Sequence, residues 1–143
     1  MEYKTFRQGF CREIVVRMDR GEEILSSLRS LIEKEGITLG KFTAIGAIDS
    51  FTVGVYDVSE RKYESKTYKG AYEIVSLTGN INTMDNKPYI HLHMSAADKE
   101  NHVVGGHLNE AHVSATIEMF ISVIDGKVDR FKDEVTGLNL FKF

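Results

Sequence analysis

Hydrophobic residues change their spacing along the chain near Gly40, from a helical period to a strand-like one. Asp19 is placed to be the N-cap of a helix, and Glu22 follows three residues later in the spacing of a capping box. Gly36 is placed to end that helix in the left-handed conformation. Between these signals the apolar residues recur every three or four positions and predict one buried stripe: Ile24, Leu25, Leu28, Leu31 and Ile32.

The segments predicted to be strands alternate apolar with polar residues, or are rich in β-branched and aromatic side chains. Residues 61–69 alternate tyrosine with charge and predict a solvated hairpin with a ligand-facing rim. Gly79-Asn80 predicts a strand end, and residues 81–87 predict a turn. The predicted strands cover residues 3–18, 41–49, 50–58, 73–78, 89–96 and 111–124.

Two further segments carry predictions about burial. In the strand 111–124, one face is expected to be apolar because its residues fall on one parity: Val113, Ala115, Ile117, Met119 and Ile121. The C-terminal segment 133–143 ends on apolar residues and is predicted to be docked on the protein. No repeat, linker or low-complexity tract interrupts the chain, so residues 1–143 are predicted to form a single domain.

Composition excludes several classes of protein. A chain of 143 residues with 42% hydrophobic and 27% charged residues is typical of a globular domain. The net charge of −3 gives no reason to expect a nucleic-acid partner. Cys11 is the single cysteine, which excludes an intramolecular disulfide, and we interpret it as a small packed residue. Without a signal peptide or an apolar span, no membrane partner is expected and the predicted location is the cytoplasm.

The chemistry of the sequence is concentrated in its histidines. His91 and His93 alternate on one predicted strand, so their side chains face the same way about 6.6 Å apart along the chain. His107 follows Gly105-Gly106, which would let the backbone turn sharply and approach closely. Three imidazoles with an open fourth position describe many zinc sites.

The three histidines therefore predict a metal centre, with zinc as the expected cofactor. The alternative is that they only make hydrogen bonds in a polar pocket. His102 lies in the polar loop 98–106 and is predicted to be solvated, while His112 is predicted to be a surface or outer-shell residue near Glu118.

Carboxylates are the usual partners of the second ring nitrogen of a metal-bound histidine. Glu73, at the start of an apolar strand, and Glu118 are the candidates, although a strand-edge charge facing water explains Glu73 equally well. Were the protein an enzyme, an open metal position would acidify a water for hydrolysis or a lyase step, with Glu73 or a neighbour as base. No substrate-binding motif is present, so the catalytic residues and the question of enzymatic activity stay open.

Five motifs in a fixed order resemble the plants and prokaryotes conserved (PPC) domain family. They are FTAIGAIDSFTVGVYD, YEIVSLTGNI, HLHMSAAD, VVGGHL and AHVSATIEMFI, and together they lie within residues 10–125. The resemblance implies an α+β fold, a curved and largely antiparallel sheet with one main helix packed on it, assembled as a homotrimer. It also implies a metal, expected to be zinc, on His91, His93 and His107.

The function of such stand-alone members is unsettled, so the resemblance leaves two alternatives beside a metal-binding role with a small-molecule ligand at the metal. One is a protein-interaction or assembly module without catalysis. The other is a regulatory DNA-binding protein, as for the plant members that carry AT-hooks. This chain lacks the Arg-Gly-Arg-Pro core of an AT-hook, which makes DNA binding the least favoured alternative.

Overall fold

The computed structural model describes residues 1–9 and 11–143, without the side chains of Gln8 and Cys11. The packing role predicted for Cys11 therefore lies outside what the structure describes. In this part of the chain, no helix combines the length and the hydropathy needed to cross a membrane.

The described residues form eight strands and one helix, so the protein is mostly sheet. The helix α1 spans Ile24–Glu35. The strands are β1 (Glu2–Gln8), β2 (Cys11–Asp19), β3 (Gly40–Asp57), β4 (Lys62–Met84), β5 (Lys87–Ala97), β6 (Val103–Val123), β7 (Asp129–Lys132) and β8 (Asn139–Lys142).

The strands form one curved sheet in the order β1-β2-β6-β3-β4-β7-β8. All pairings are antiparallel except the single parallel pair between Thr83 of β4 and Asp129 of β7. Strand β5 pairs with both β4 and β6, and β6 and β4 both pair with β3. The four long strands β3, β4, β5 and β6 therefore close into a ring, which confirms the predicted curved and largely antiparallel sheet.

The predicted helix is confirmed, but its N-terminal cap is not the predicted one. Asp19 is the last residue of β2, and Glu23 caps the helix by accepting hydrogen bonds from the backbone N–H groups of Leu25 and Ser26. Gly36, with φ 61°, is the left-handed C-cap as predicted. The stripe is buried at Ile24, Leu28, Leu31 and Ile32, while Leu25 is half-buried.

Several strand boundaries predicted from the sequence are wrong, because glycine and small residues lie inside long strands. The predicted strands 41–49 and 50–58 form the single strand β3, whose register shifts beside Gly46 and Ser50. Strand β4 continues through Gly79-Asn80 to Met84. The turn predicted over residues 81–87 is correspondingly shorter, since β5 begins at Lys87.

The buried face of β6 also departs from simple alternation. Val113, Ile117, Met119 and Ile121 are buried as predicted, but Ala115 is exposed. Between Val113 and Ile117 the register of β6 against β3 shifts, so the strand bends outward at Ala115.

The C-terminal segment is docked, as predicted, through the β7–β8 hairpin. Strand β8 pairs with β7, which touches the end of β4. Phe143 nevertheless remains fully exposed. The hairpin matters because it forms one wall of the cleft described next.

Candidate metal centre

Three histidines meet where β5 and β6 pair. His93 lies directly opposite His107 in the antiparallel ladder, and His91 lies two residues before His93. The ring centroids are 5.1 Å apart for His91 and His93, 5.3 Å for His91 and His107, and 5.6 Å for His93 and His107. The structure therefore brings together the three side chains proposed as metal ligands.

The alternation of β5 explains how two of these side chains reach the same volume. Leu92 and Met94 are buried in the core, so His91 and His93 point away from it. His91 is half-buried and His93 is exposed. One strand thus places both rings on the outer side of the sheet, as the sequence predicted.

The third histidine arrives by a different route from the predicted one. The loop between β5 and β6 covers only residues 98–102, and Gly105-Gly106 lies inside β6 rather than in a turn. A Cβ on Gly106 would lie 2.6 Å from the carbonyl oxygen of Gly54. Gly106 must therefore be glycine because the backbone of β3 lies close to it, and not because the chain turns there.

Burial favours the neutral form of two of these imidazoles, His91 and His107. Desolvation, followed by the proximity of His107 and His93, lowers the pKa of His91 from 6.5 to about 4. Desolvation likewise lowers the pKa of His107, with His93 as the second cause. Because the neutral imidazole is the form that binds metal, the side chains of His91 and His107 are in their ligating form near neutral pH.

The donor set fits a metal ion. One ligand nitrogen from each ring lies within 4.8 Å of the others. Rings bound to one zinc at about 2.0–2.1 Å would bring these nitrogens to about 3.3 Å, a closure that side-chain rotation can supply. Among the described residues, none makes a hydrogen bond to a ring nitrogen of His91, His93 or His107.

The two carboxylates predicted to support the histidines lie elsewhere. Glu73 pairs with Ala97, four residues beyond His93, which is about 13 Å along the strand. Glu118 pairs with Ile45 and Arg17 on a distant part of the sheet. Both side chains are exposed. Neither one contacts the histidines, so the outer-shell role predicted for them has no structural support.

The histidines open into a cleft of about 650 Å³ between the β3–β4 hairpin and the β7–β8 hairpin. The ring of Tyr63 stands edge-on to His107 with 6.2 Å between centroids, and its hydroxyl donates to Asn109 Oδ1 at 2.6 Å. Tyr63 therefore lines the cleft from the segment 61–69, and the ligand-facing role predicted for that segment stays a prediction. Apolar side chains complete the walls: Val55, Leu138 and Leu140.

Arg130, a residue that sequence reasoning missed, lines the same cleft. Its Nε donates to Asn82 Oδ1 at 2.6 Å and its Nη2 donates to Asn80 Oδ1 at 3.0 Å. Nη1 donates to the carbonyl oxygen of Asn139. Burial lowers the pKa of this guanidinium. No motif in the sequence marks Arg130, since only the folded β7–β8 hairpin carries it to the histidines.

The remaining histidines stay apart from the cluster. The side chain of His102 is 78% exposed and its Nδ1 lies 3.5 Å from Asp98 Oδ2. His112 contacts Glu110 at 2.8 Å rather than the predicted Glu118. As predicted, His102 is solvated, and His112 lies at the surface outside the cleft.

Known proteins share both the sequence pattern and this fold. The sequence profile of the Plants and Prokaryotes Conserved (PCC) domain matches residues 6–125. A metal-containing protein from Archaeoglobus fulgidus is 31% identical with a TM-score of 0.87, and the alignment covers 99% of this chain and 97% of that one. A plant- and prokaryote-conserved protein from Pyrococcus horikoshii is 30% identical with a TM-score of 0.86, covering 99% and 95%.

A third solved structure is that of a proposed DNA-binding protein from Bacteroides thetaiotaomicron. It is 27% identical with a TM-score of 0.89, and the alignment covers 99% of this chain and 97% of that one. No curated protein matches the chain.

Proposed function

Because the chain belongs to the Plants and Prokaryotes Conserved domain family, we propose that it is a trimeric zinc-binding protein. The metal is held by His91, His93 and His107. The observation that carries the proposal is the meeting of three imidazoles on two paired strands, each offering a nitrogen within 4.8 Å of the others. The name of the Archaeoglobus fulgidus neighbour, a metal-containing protein, supports it.

Zinc is a metal that suits this donor set. Neutral imidazoles are ligands of borderline softness, and three of them with an open position match zinc sites that accept a further ligand. When bound, zinc supplies Lewis acidity and lowers the pKa of water. The cleft in front of the histidines gives a small molecule access to the metal, and Tyr63 and the apolar walls would orient it.

The trimer is supported by an apolar patch on the outer face of the sheet. Ile45, Val75 and Phe120 are 58%, 55% and 57% exposed, although all three lie inside long strands. Phe120 is the cross-strand neighbour of Val15 and Thr43, so the patch continues across β2, β6 and β3. A continuous apolar surface of this kind is the usual mark of a subunit interface.

The metal proposal is tested on protein purified without a histidine tag, by elemental analysis of bound transition metals. We expect close to one equivalent of zinc per chain, and less than about 0.3 equivalents of any such metal would contradict the proposal. His93→Ala should lose the metal. His102→Ala is the matched control, because it removes an exposed imidazole from a loop, and it should retain the metal. Equal loss from both would show that the triad is wrong.

A second candidate function is an assembly module in which metal only stabilises the fold. The same apolar patch favours it. Removal of metal by a chelator separates the two, with mass measured by light scattering. If metal only stabilises the fold, its removal should lower the melting temperature while the mass of the assembly and the binding of small ligands in the cleft stay unchanged. Loss of ligand binding without metal would instead favour the first candidate.

DNA binding is the least favoured candidate. The Bacteroides thetaiotaomicron neighbour is described as a proposed DNA-binding protein. The net charge of −3 opposes that role here. Failure to shift any duplex at low salt would remove it.

A further inference from the structure

We propose that Arg130 and the histidine cluster form the two ends of a subsite for a small organic oxyanion, a carboxylate or a phosphate. The inference rests on the proposed function, because it names the class of ligand that approaches the same metal centre. It follows from the charge of Arg130, from its unused hydrogen-bond donors and from the walls of the cleft.

The guanidinium of Arg130 has no anionic partner in the part of the chain that the structure describes. Its three hydrogen bonds go to two amide oxygens and one backbone carbonyl, all of them neutral. The preceding residue, Asp129, instead bonds Thr83 and Lys127. A half-buried positive charge without an opposite charge is costly, and an anion that enters the cleft would compensate it.

Donors remain available on this side chain. A guanidinium carries five N–H groups, and the three bonds use three of them. Two aromatic rings also pack against the guanidinium, whose carbon lies 4.7 Å from the ring centroid of Tyr89 and 4.4 Å from that of Phe141. The aromatic rings and the asparagines therefore fix the plane of the guanidinium, which is the preorganisation that oxyanion recognition needs.

Arg130 is also tied to the metal centre through one residue. Asn80 accepts its hydrogen bond at 3.0 Å and is the cross-strand partner of His91. A ligand that spans the cleft would meet a cation at one end and the three imidazoles at the other. Val55, Leu138 and Leu140 line the same cleft, so the body of the ligand is expected to be apolar.

Anchoring of the C-terminal segment does not by itself account for Arg130. Arg61 already holds that segment, by donating to the carbonyl oxygens of Glu134 at 2.8 Å and Val135 at 3.1 Å. Arg61 is exposed and does not line the cleft. It is therefore the matched control for Arg130, an arginine that bonds the same segment without facing the histidines.

The test is calorimetric titration of zinc-loaded and metal-free protein with benzoate and, separately, with inorganic phosphate. Charge-assisted hydrogen bonds imply that Arg130→Met weakens binding of the preferred anion by about tenfold or more. Arg61→Met should change that affinity by less than about twofold. Preference for benzoate would identify a carboxylate ligand, and preference for phosphate would identify a phosphorylated one.

The outcomes separate this inference from the proposed function. If zinc binds but neither anion binds at about 20 mM, the oxyanion subsite is wrong and the metal proposal stands. If zinc does not bind, the metal proposal is wrong, and the titration of metal-free protein decides the subsite. Equal weakening by Arg130→Met and Arg61→Met would overturn the subsite. Should Arg130→Met not fold, Arg130→Lys, which keeps the charge but loses the planar fork, should weaken binding more than Arg61→Met does.

Discussion

Two groups of side chains that could ligate a metal lie close together in the sequence, and only one has the character of a site. His91, His93 and His107 lie on the paired strands β5 and β6, while the second group lies in the loop that joins those strands. In both groups the donor atoms lie within 4.8 Å of one another. The second group is Asp98, Glu100 and His102.

The difference lies in what the donor atoms already bind. Asp98 Oδ1 accepts hydrogen bonds from the backbone N–H groups of Glu100 and His102, both at 2.9 Å. This carboxylate closes its own loop, as aspartate commonly does in turns. The ring nitrogens of the strand cluster have no such partner among the described residues. Closeness of the ligand atoms therefore identifies candidate metal sites. Ligand atoms without hydrogen-bond partners then distinguish a metal site from a turn.

The largest expected effect comes from breaking the strand that carries His107. Gly106→Ala would place a methyl group 2.6 Å from the carbonyl oxygen of Gly54. We expect the free energy of unfolding to fall by about 2–4 kcal/mol. Urea denaturation measures it. In the loop, Asn101 has a φ of 64°, which glycine also adopts, so Asn101→Gly should change stability by less than about 0.5 kcal/mol. Comparable losses from both variants would show that the two regions do not differ in rigidity.

The next largest effect is on zinc affinity, and it compares the histidines of the strand cluster with the carboxylates of the loop. His107→Ala should weaken zinc binding by about a hundredfold or more, because losing a direct ligand exceeds the loss of an outer-shell partner. Asp98→Asn should leave zinc affinity unchanged, since its side-chain oxygen still accepts the loop hydrogen bonds. Competition against a chromophoric chelator measures both affinities. Weakening by Asp98→Asn alone would assign the metal to the loop.

The third effect is a dependence of stability on pH in the metal-free protein. His91 has a pKa of about 4 in the folded state against 6.5 ordinarily. Between these values the unfolded chain binds a proton that the folded protein does not, so stability falls as the pH drops from 6.5 to about 4. After allowance for solvent screening we expect a loss of roughly 1–2 kcal/mol.

Denaturation of matched variants isolates this contribution from that of the carboxylates. His91→Gln should flatten the pH dependence over that interval, because the titrating group is removed. His102→Gln should leave the slope as it is in the parent protein. An unchanged slope in His91→Gln would mean that His91 is not held neutral by burial.

The smallest effect is in the loop. Asp98→Ala removes the acceptor for two backbone N–H groups and should lower stability by about 0.5–1 kcal/mol. Zinc content should stay at the parent level. Thermal denaturation and elemental analysis of the same sample check both expectations, and a loss of zinc would contradict the separation of the two groups.

Much of the site could be predicted from the sequence because it depends on local periodicity. Two histidines separated by one apolar residue on a strand must face the same way, and His91 and His93 do. The helix could be predicted equally well, since its apolar stripe and its C-cap at Gly36 are local signals in the sequence. Its N-cap could not, because Asp19 is of a type that commonly caps helices and Glu23 is not, yet Asp19 belongs to β2 and Glu23 takes the position.

The rest depended on contacts between distant segments. Gly79 and Gly106 are expected to mark turns from the sequence, yet both lie inside strands. A Cβ on Gly79 would lie 2.5 Å from the backbone oxygen of His91 and from the ring of Phe42. Arg130 had no local signal at all, because its partners Asn80 and Asn82 lie about fifty residues earlier in the chain.

The closed ring of β3, β4, β5 and β6 also determines how the histidines can move. His93 and His107 lie on strands that are both paired on each side, so neither belongs to a free edge. Amide protons beside them should exchange with solvent only when a large part of the sheet opens at once. Any exchange of a bound ion would then proceed by rotation of the imidazoles within a stationary backbone, at a rate independent of how often the sheet unfolds.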